Sequence, residues 1–410
     1  MKKVVSDREK FAWNILGSLS SAISSLVLSI CVNRILGGEN GGIFAFAYSN
    51  AQLMMTVGQF EVRPFQSTDI DEKYNFNTYF SLRVISCIFM LAISIIYVCI
   101  SKFSFEKSII VLAIVFFRAV EGFADVFAGR FQQKDRIDLA GKLLFVRVTF
   151  STIGFVCILA VTHNLPIASI IMFTISLVLL FCYDYRNVFI DDKKNLAIEL
   201  EDIWNLIKDV FPLFISIFIT MYISNAPKYA INGMFSDEIQ NIYNILFMPA
   251  FVINMFSLFV FRPLLVHMTR YWNECQLKKL WGIVGKICIF ICGITGITLV
   301  GTWLFGVPVL SLIYGIELEA YKRDLMLVMT VGGVSALMTL LYYVVTIMRQ
   351  QKLLLFAHLA VFAYSCIVVR ELVKRMEIRG AILSYGTSVG ILALSFLIIM
   401  LYTSKVRKKS

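Results

Sequence analysis

Charge is scarce in this chain. Asp, Glu, Lys and Arg make up 16% of its 410 residues, against about 25% in ordinary soluble domains. The mean hydropathy is +0.78. That excludes a soluble fold and predicts an all-α polytopic membrane protein. Histidine is scarcer still, with His163, His267 and His358 far apart. The nine cysteines contain no C-x-x-C pair and sit mostly inside apolar runs. Zinc and disulfide frameworks are therefore not expected, and the cysteines read as small apolar core residues. Neither G-x-x-x-x-G-K-[ST] nor G-x-G-x-x-G occurs, which excludes a nucleotide site and ATP-driven transport by this chain alone. No cofactor is expected. No small-residue cleavage site follows the charged start MKKVVSDREK, so it does not read as a cleavable signal peptide.

What is abundant is long apolar sequence. A span needs about 20 residues at about 1.5 Å each. Twelve segments qualify: 11–36, 41–62, 78–101, 108–129, 140–162, 166–185, 210–232, 239–261, 281–305, 324–348, 353–373 and 380–403. With the N-terminus placed in the cytoplasm, 24 Lys and Arg fall in inward loops and tails, counting Lys142 at the inner edge of its segment, and 7 in outward loops. That positive-inside bias predicts an even number of spans with both termini cytoplasmic. It also explains the net charge of +11 without nucleic acid. The outward loop 306–323 is largely apolar and is expected to re-enter the membrane or lie along it. Gly37–Gly42 is expected to form a tight outward turn. The longest inward connection separates six spans from six. The expected organisation is a bundle over 1–190, a cytoplasmic linker over 191–209 and a second bundle over 210–410.

Several ionisable residues fall inside apolar segments, where charge is costly and marks interior or water-lined faces. Arg34 ends a first helix rich in serine, which suits close helix–helix contact. Arg118, Glu121 and Asp125 share one face of the fourth segment, either as a polar path or as a self-neutralising pair that fixes packing. Arg147 lies in the fifth segment. Lys228 follows Pro227 in the seventh, where the proline is expected to break the helix. Together Arg34, Arg118, Arg147 and Lys228 would make a cationic interior suited to anionic cargo. Glu121 and Asp125 are candidate ion-coupling carboxylates. Arg63–Pro64 and Arg262–Pro263 follow the second helix of each half. They suggest a cytoplasmic gate, with each proline stopping a helix and each Arg at the inner mouth. Arg83, Lys286 and Arg370 lie near segment ends and read as snorkelling cations.

The motifs Asn33-Arg34-Ile35-Leu36-Gly37, Gly41-Gly42-Ile43-Phe44, Phe65-Gln66-Ser67-Thr68-Asp69, Pro227-Lys228-Tyr229, Phe261-Arg262-Pro263-Leu264 and Thr346-Ile347-Met348-Arg349-Gln350-Gln351 carry a resemblance. In this order, on a twelve-span plan, the chain resembles the polysaccharide-exporter branch of the multidrug/oligosaccharidyl-lipid/polysaccharide (MOP) superfamily. The resemblance implies a MATE-like pair of pseudo-symmetric six-helix bundles around a central cavity. It implies a flippase of the bacterial inner membrane that moves undecaprenyl-diphosphate-linked oligosaccharide repeat units to the outer leaflet by alternating access, for O-antigen or capsule. Implied partners are the lipid-linked oligosaccharide, membrane lipids, a proton or sodium gradient and other polysaccharide-assembly proteins. Of the candidate cations, only Arg34 and Lys228 match motif positions of the family.

Two other readings compete with this one. A multidrug or cation antiporter of the same superfamily should place acidic groups in its cavity, whereas the deep charges here are mainly basic. A membrane polysaccharide polymerase should carry a sizeable outward loop with catalytic carboxylates; the longest holds only Glu317 and Glu319. The expected class is a transporter rather than an enzyme.

Overall fold

A computed structural model describes residues 6–69, 73–186, 200–261 and 264–407. The long helices follow the apolar runs because a backbone in hydrocarbon must satisfy its own hydrogen bonds. In chain order they are α1 (Asp7–Leu36), α2 (Gly38–Gln59), the short α3 (Val62–Thr68), α4 (Phe76–Ile100), α5 (Phe105–Gln133), α6 (Ile137–Thr162) and α7 (Leu165–Leu179), which continues as a π turn, Leu180–Tyr185. Then come α8 (Leu200–Met234), α9 (Asp237–Phe261), the short α10 (Leu265–Asn273), α11 (Leu277–Gly301), α12 (Val307–Tyr314), α13 (Lys322–Ile347) and α14 (Gln351–Arg407). Glu377, at φ 50° and ψ −126°, breaks α14 into arms 351–376 and 378–407. With α11 and α12 counted as one rod and α14 as two, the described residues hold twelve long helical segments, matching the expected twelve. Among the described residues, eight helices are long and apolar enough to cross a membrane by length and composition alone. The more polar α2 and α5 are not among them, and both bury much of their length.

The chain forms two compact units, Met1–Met221 and Tyr222–Ser410. The division falls inside α8. Residues 191–199 of the expected linker lie outside the described residues, and 200–209 are the first turns of α8. In the first unit α1 packs along α6, and α2 along α5. In the second, α13 packs against α14 and α9. Large apolar side chains such as Ile88, Phe89 and Ile96 on α4 are exposed, as a lipid-facing surface requires.

Local structure departs from expectation at several points. The turn after α1 is Gly37 alone, at φ 84°, and residues 38–42 already belong to α2. A Cβ at Gly41 would lie 2.4 Å from Asn33 Oδ1, so this second glycine serves close approach rather than turning. The loop expected at 306–323 is helical to Tyr314: α11 passes through a π turn, Thr302–Gly306, into α12, and Gly315 ends it in the left-handed region. Pro227 does not break α8, which runs through it. A membrane helix tolerates the one lost hydrogen bond when neighbours satisfy the freed carbonyl. Pro64 does not stop a helix either. Phe60 and Glu61, both left-handed, end α2, and Pro64 sits in α3 near its start, where its missing N–H costs nothing. All nine cysteines are free, but only Cys87 is buried, so most are not core residues.

The α1–α6 contact depends on two glycines. A Cβ on Gly141 would fall 2.3 Å from the Trp13 carbonyl oxygen, and one on Gly17 2.6 Å from the Gly141 oxygen. Both obstacles are backbone, so the helices must separate to admit a methyl group. We expect Gly141→Ala to destabilise the first unit by about 1–3 kcal/mol, read as a lower thermal unfolding midpoint in detergent. Gly390→Ala, which meets nothing within 4 Å, should leave the midpoint in place.

Candidate functional site

Helix α5 carries the charges of the first unit's interior. Arg118 and Glu121, one turn apart, are both buried and joined by a short ion pair. The guanidinium also lies over the Tyr48 ring of α2, 4.3 Å from its centroid. One turn further on, Asp125 does not extend this pair. Its two oxygens accept from Arg63 of α3 at 2.9 Å and from Arg83 of α4 at 3.1 Å. Arg83 is completely buried and donates a second bond to the Gly58 carbonyl at 2.9 Å. That carbonyl also accepts from Ser86 Oγ. It lies in the last turn of α2, where carbonyls lack helical donors. Asp125 thus ties α3, α4 and α5 together. Arg83 is no snorkelling cation: with zero exposure it has no route to headgroups, and its charge is met by Asp125.

Arg147 of α6 is buried against Asp184, at 2.7 Å. Asp184 sits in the π turn that ends the sixth span. The extra residue per turn shifts the register there, and such turns recur at functional positions. Arg118 and Arg147, expected as members of a cationic interior, are therefore each neutralised by a carboxylate, because an uncompensated charge at that depth is costly. Arg34 differs. It lies exposed in the last turn of α1 beside buried Asn33.

A second network holds the chain at the end of α3. Asp69 accepts from the backbone N–H groups of Lys73 and Tyr74 and from Tyr79 Oη at 2.7 Å. Lys73 Nζ and Tyr74 Oη both donate to Asp209 of α8. That bond to Asp209 raises the Lys73 ammonium above its ordinary pKa. Within the motif 65–69, Asp69 thus ties the end of α3 to Lys73, Tyr74 and Tyr79.

In the second unit Lys228 is half-buried in α8 between buried Pro227 and half-buried Tyr229. Asn254 of α9 donates to Ser335 at 3.0 Å and accepts from Thr339 of α13. Ser335 in turn meets Tyr385 of α14. These polar bonds run between helices where sequence alone shows isolated amides. The expected gate residue Arg262 lies outside the described residues. Its expected counterpart Arg63 is one of the two guanidiniums on Asp125. Among the described residues no group of three or more His, Cys, Asp or Glu could hold a metal.

Sequence reasoning missed Asp184 and Asp209 and misread Arg83 as interfacial. The partners lie 37, 42 and 136 positions apart, beyond the reach of helical spacing. Two outcomes are expected from the buried pairs. Removing one partner, as in Asp184→Ala, should cost about 3–5 kcal/mol by stranding Arg147, whereas Arg147→Leu with Asp184→Leu should recover most of it. Thermal unfolding of the three variants measures the cycle. Asp125→Asn, which strands two arginines, should lower the unfolding midpoint more than Arg63→Gln, since Arg63 is one-third exposed.

The profile of the polysaccharide biosynthesis protein family matches residues 8–267. Among solved structures, the chain is similar to an inward-facing multidrug resistance MATE family transporter of the MOP superfamily (12% identity, 94% of this chain and 95% of that one, TM-score 0.67). It is also similar to a MOP superfamily transporter from Pyrococcus furiosus (13% identity, 98% and 96%, TM-score 0.59) and to a Vibrio cholerae MATE transporter in the bent form (12% identity, 98% and 97%, TM-score 0.58). No curated protein matches it. At such identities these likenesses establish the fold, and the family profile covers most of the chain. This multi-pass membrane protein has the MATE-type fold and belongs to the polysaccharide biosynthesis protein family.

Proposed function

We propose that the protein is a flippase for undecaprenyl-diphosphate-linked oligosaccharide repeat units. It carries them from the cytoplasmic to the outer leaflet of the bacterial inner membrane, with both termini cytoplasmic. The family match over residues 8–267, on a chain with a transporter fold from end to end, is the observation that carries this reading. The chemistry agrees with it. The lipid tail can stay in hydrocarbon, while the diphosphate and sugars need a polar, cationic path. Arg34 and Lys228 are the residues we assign to the diphosphate. Arg118 and Arg147 contribute through ion pairs rather than as bare charges. Glu121 and Asp125 are the carboxylates whose pairing a proton or sodium ion would disturb, and Arg63 is the inner-mouth cation released when Asp125 lets go.

Deleting the gene in the native bacterium tests the reading. The expected result is loss of surface polymer with single repeat units accumulating on cytoplasm-facing undecaprenyl diphosphate. Intact surface glycan with raised sensitivity to cationic drugs would instead indicate a multidrug antiporter. Repeat units trapped on the outer face would indicate a polymerase.

Arg34→Ala and Lys228→Ala should each lower export about tenfold or more, the effect of losing one charge-assisted contact worth about 1.5–3 kcal/mol, while insertion stays normal. Wild-type export by both would refute the cationic path. Arg118→Leu with Glu121→Leu asks a separate question: retained export makes that pair structural.

A further inference from the structure

Within the second unit, a cleft of 690 Å³ lies between the end of α8 and the first arm of α14. Its apolar wall is Met234, Phe235, Cys366 and Ile367, and its polar rim is Arg370, Glu371 and Lys374. We propose that this cleft binds an anionic membrane phospholipid, its phosphate between Arg370 and Lys374 and an acyl chain along Ile367.

The arm supplies the geometry. Cys366, Arg370 and Lys374 recur at four-residue spacing, so they form one stripe on the helix face. The stripe changes character along its length. At Cys366 and its neighbour Ile367, which is 75% exposed, the lining is apolar. From Arg370 onward it is charged, and α8 ends opposite at Met234 before Ser236 and Asp237. Such a change on two neighbouring helices marks the boundary between hydrocarbon and headgroups. The charge is also lopsided. Glu371 accepts from Arg375, outside the cleft, at 2.5 Å, which leaves the rim with two cations. A lone interfacial Arg snorkels to whatever headgroup is near. Two cations one turn apart, over an apolar recess between helices, hold one phosphate and one chain together. A zwitterionic lipid carries its own ammonium and competes poorly for such a rim. This site lies wholly in the second unit and is independent of the translocation reading.

Cys366 reports on occupancy because its exposed thiol lines the recess. The full-length protein is placed in nanodiscs of phosphatidylcholine, with or without phosphatidylglycerol, and treated with N-ethylmaleimide. Labelling is read cysteine by cysteine by peptide mass spectrometry. Phosphatidylglycerol should slow labelling of Cys366 severalfold and leave exposed Cys99 unchanged. In Arg370→Gln with Lys374→Gln the slowing should vanish. Equal Cys366 rates in the two bilayers would overturn the proposal, and so would slowing that persists in the double variant. Equal slowing by inorganic phosphate in phosphatidylcholine alone would overturn the lipid and leave a free-anion site. Should the double variant not fold, the wild-type comparison between bilayers still decides.

Discussion

A guanidinium inside a hydrocarbon layer must bring its counterion with it, and much of the first unit follows from that requirement. Arg118, Arg147 and Arg83 are all buried, and each meets a carboxylate. Desolvating a pair costs several kcal/mol per ion, so the pairs add little net stability. Their consequence is specificity. Each fixes which helix faces which, and a wrong helix arrangement would strand a charge. The α1–α6 contact supplies the complementary term, with glycines letting backbones touch where no hydrophobic driving force exists between helices in lipid.

The pairs differ in how many partners each carboxylate has. Asp125 serves a wholly buried arginine on α4 and a partly exposed one on α3. If one partner leaves, the other keeps the carboxylate compensated. A cross-link of this kind can open at α3 without stranding charge at α4. Among the described residues the Arg147–Asp184 pair shows no such spare partner, and it joins α6 to the π turn of the sixth span.

The long helices were legible because a span must be apolar for about 20 residues, and composition alone exposes such runs. Boundaries were less legible. The break at Glu377 falls in the charged stretch between the expected segments 353–373 and 380–403, whereas the run expected to end at 305, beside Gly306 and Pro308, continues as helix through the π turn Thr302–Gly306 to Tyr314. The Arg118–Glu121 pair could be read because i, i+3 neighbours share a helix face. Arg147–Asp184 and Arg83–Asp125 could not, since nothing in either helix's own sequence names its partner. Arg83, near the start of its segment, reads as an interfacial cation until α5 is laid beside it.

By itself, then, the sequence determined the class of this protein: a charge-poor chain with twelve apolar runs has one solvent in which it can fold, and its family motifs survive as local strings. Only the tertiary structure decided which of its deep cations are compensated. That depends on which helix faces meet, and in a bilayer those faces are chosen by backbone approach at residues such as Gly17 and Gly141 and by the need to end each buried charge on an opposite one.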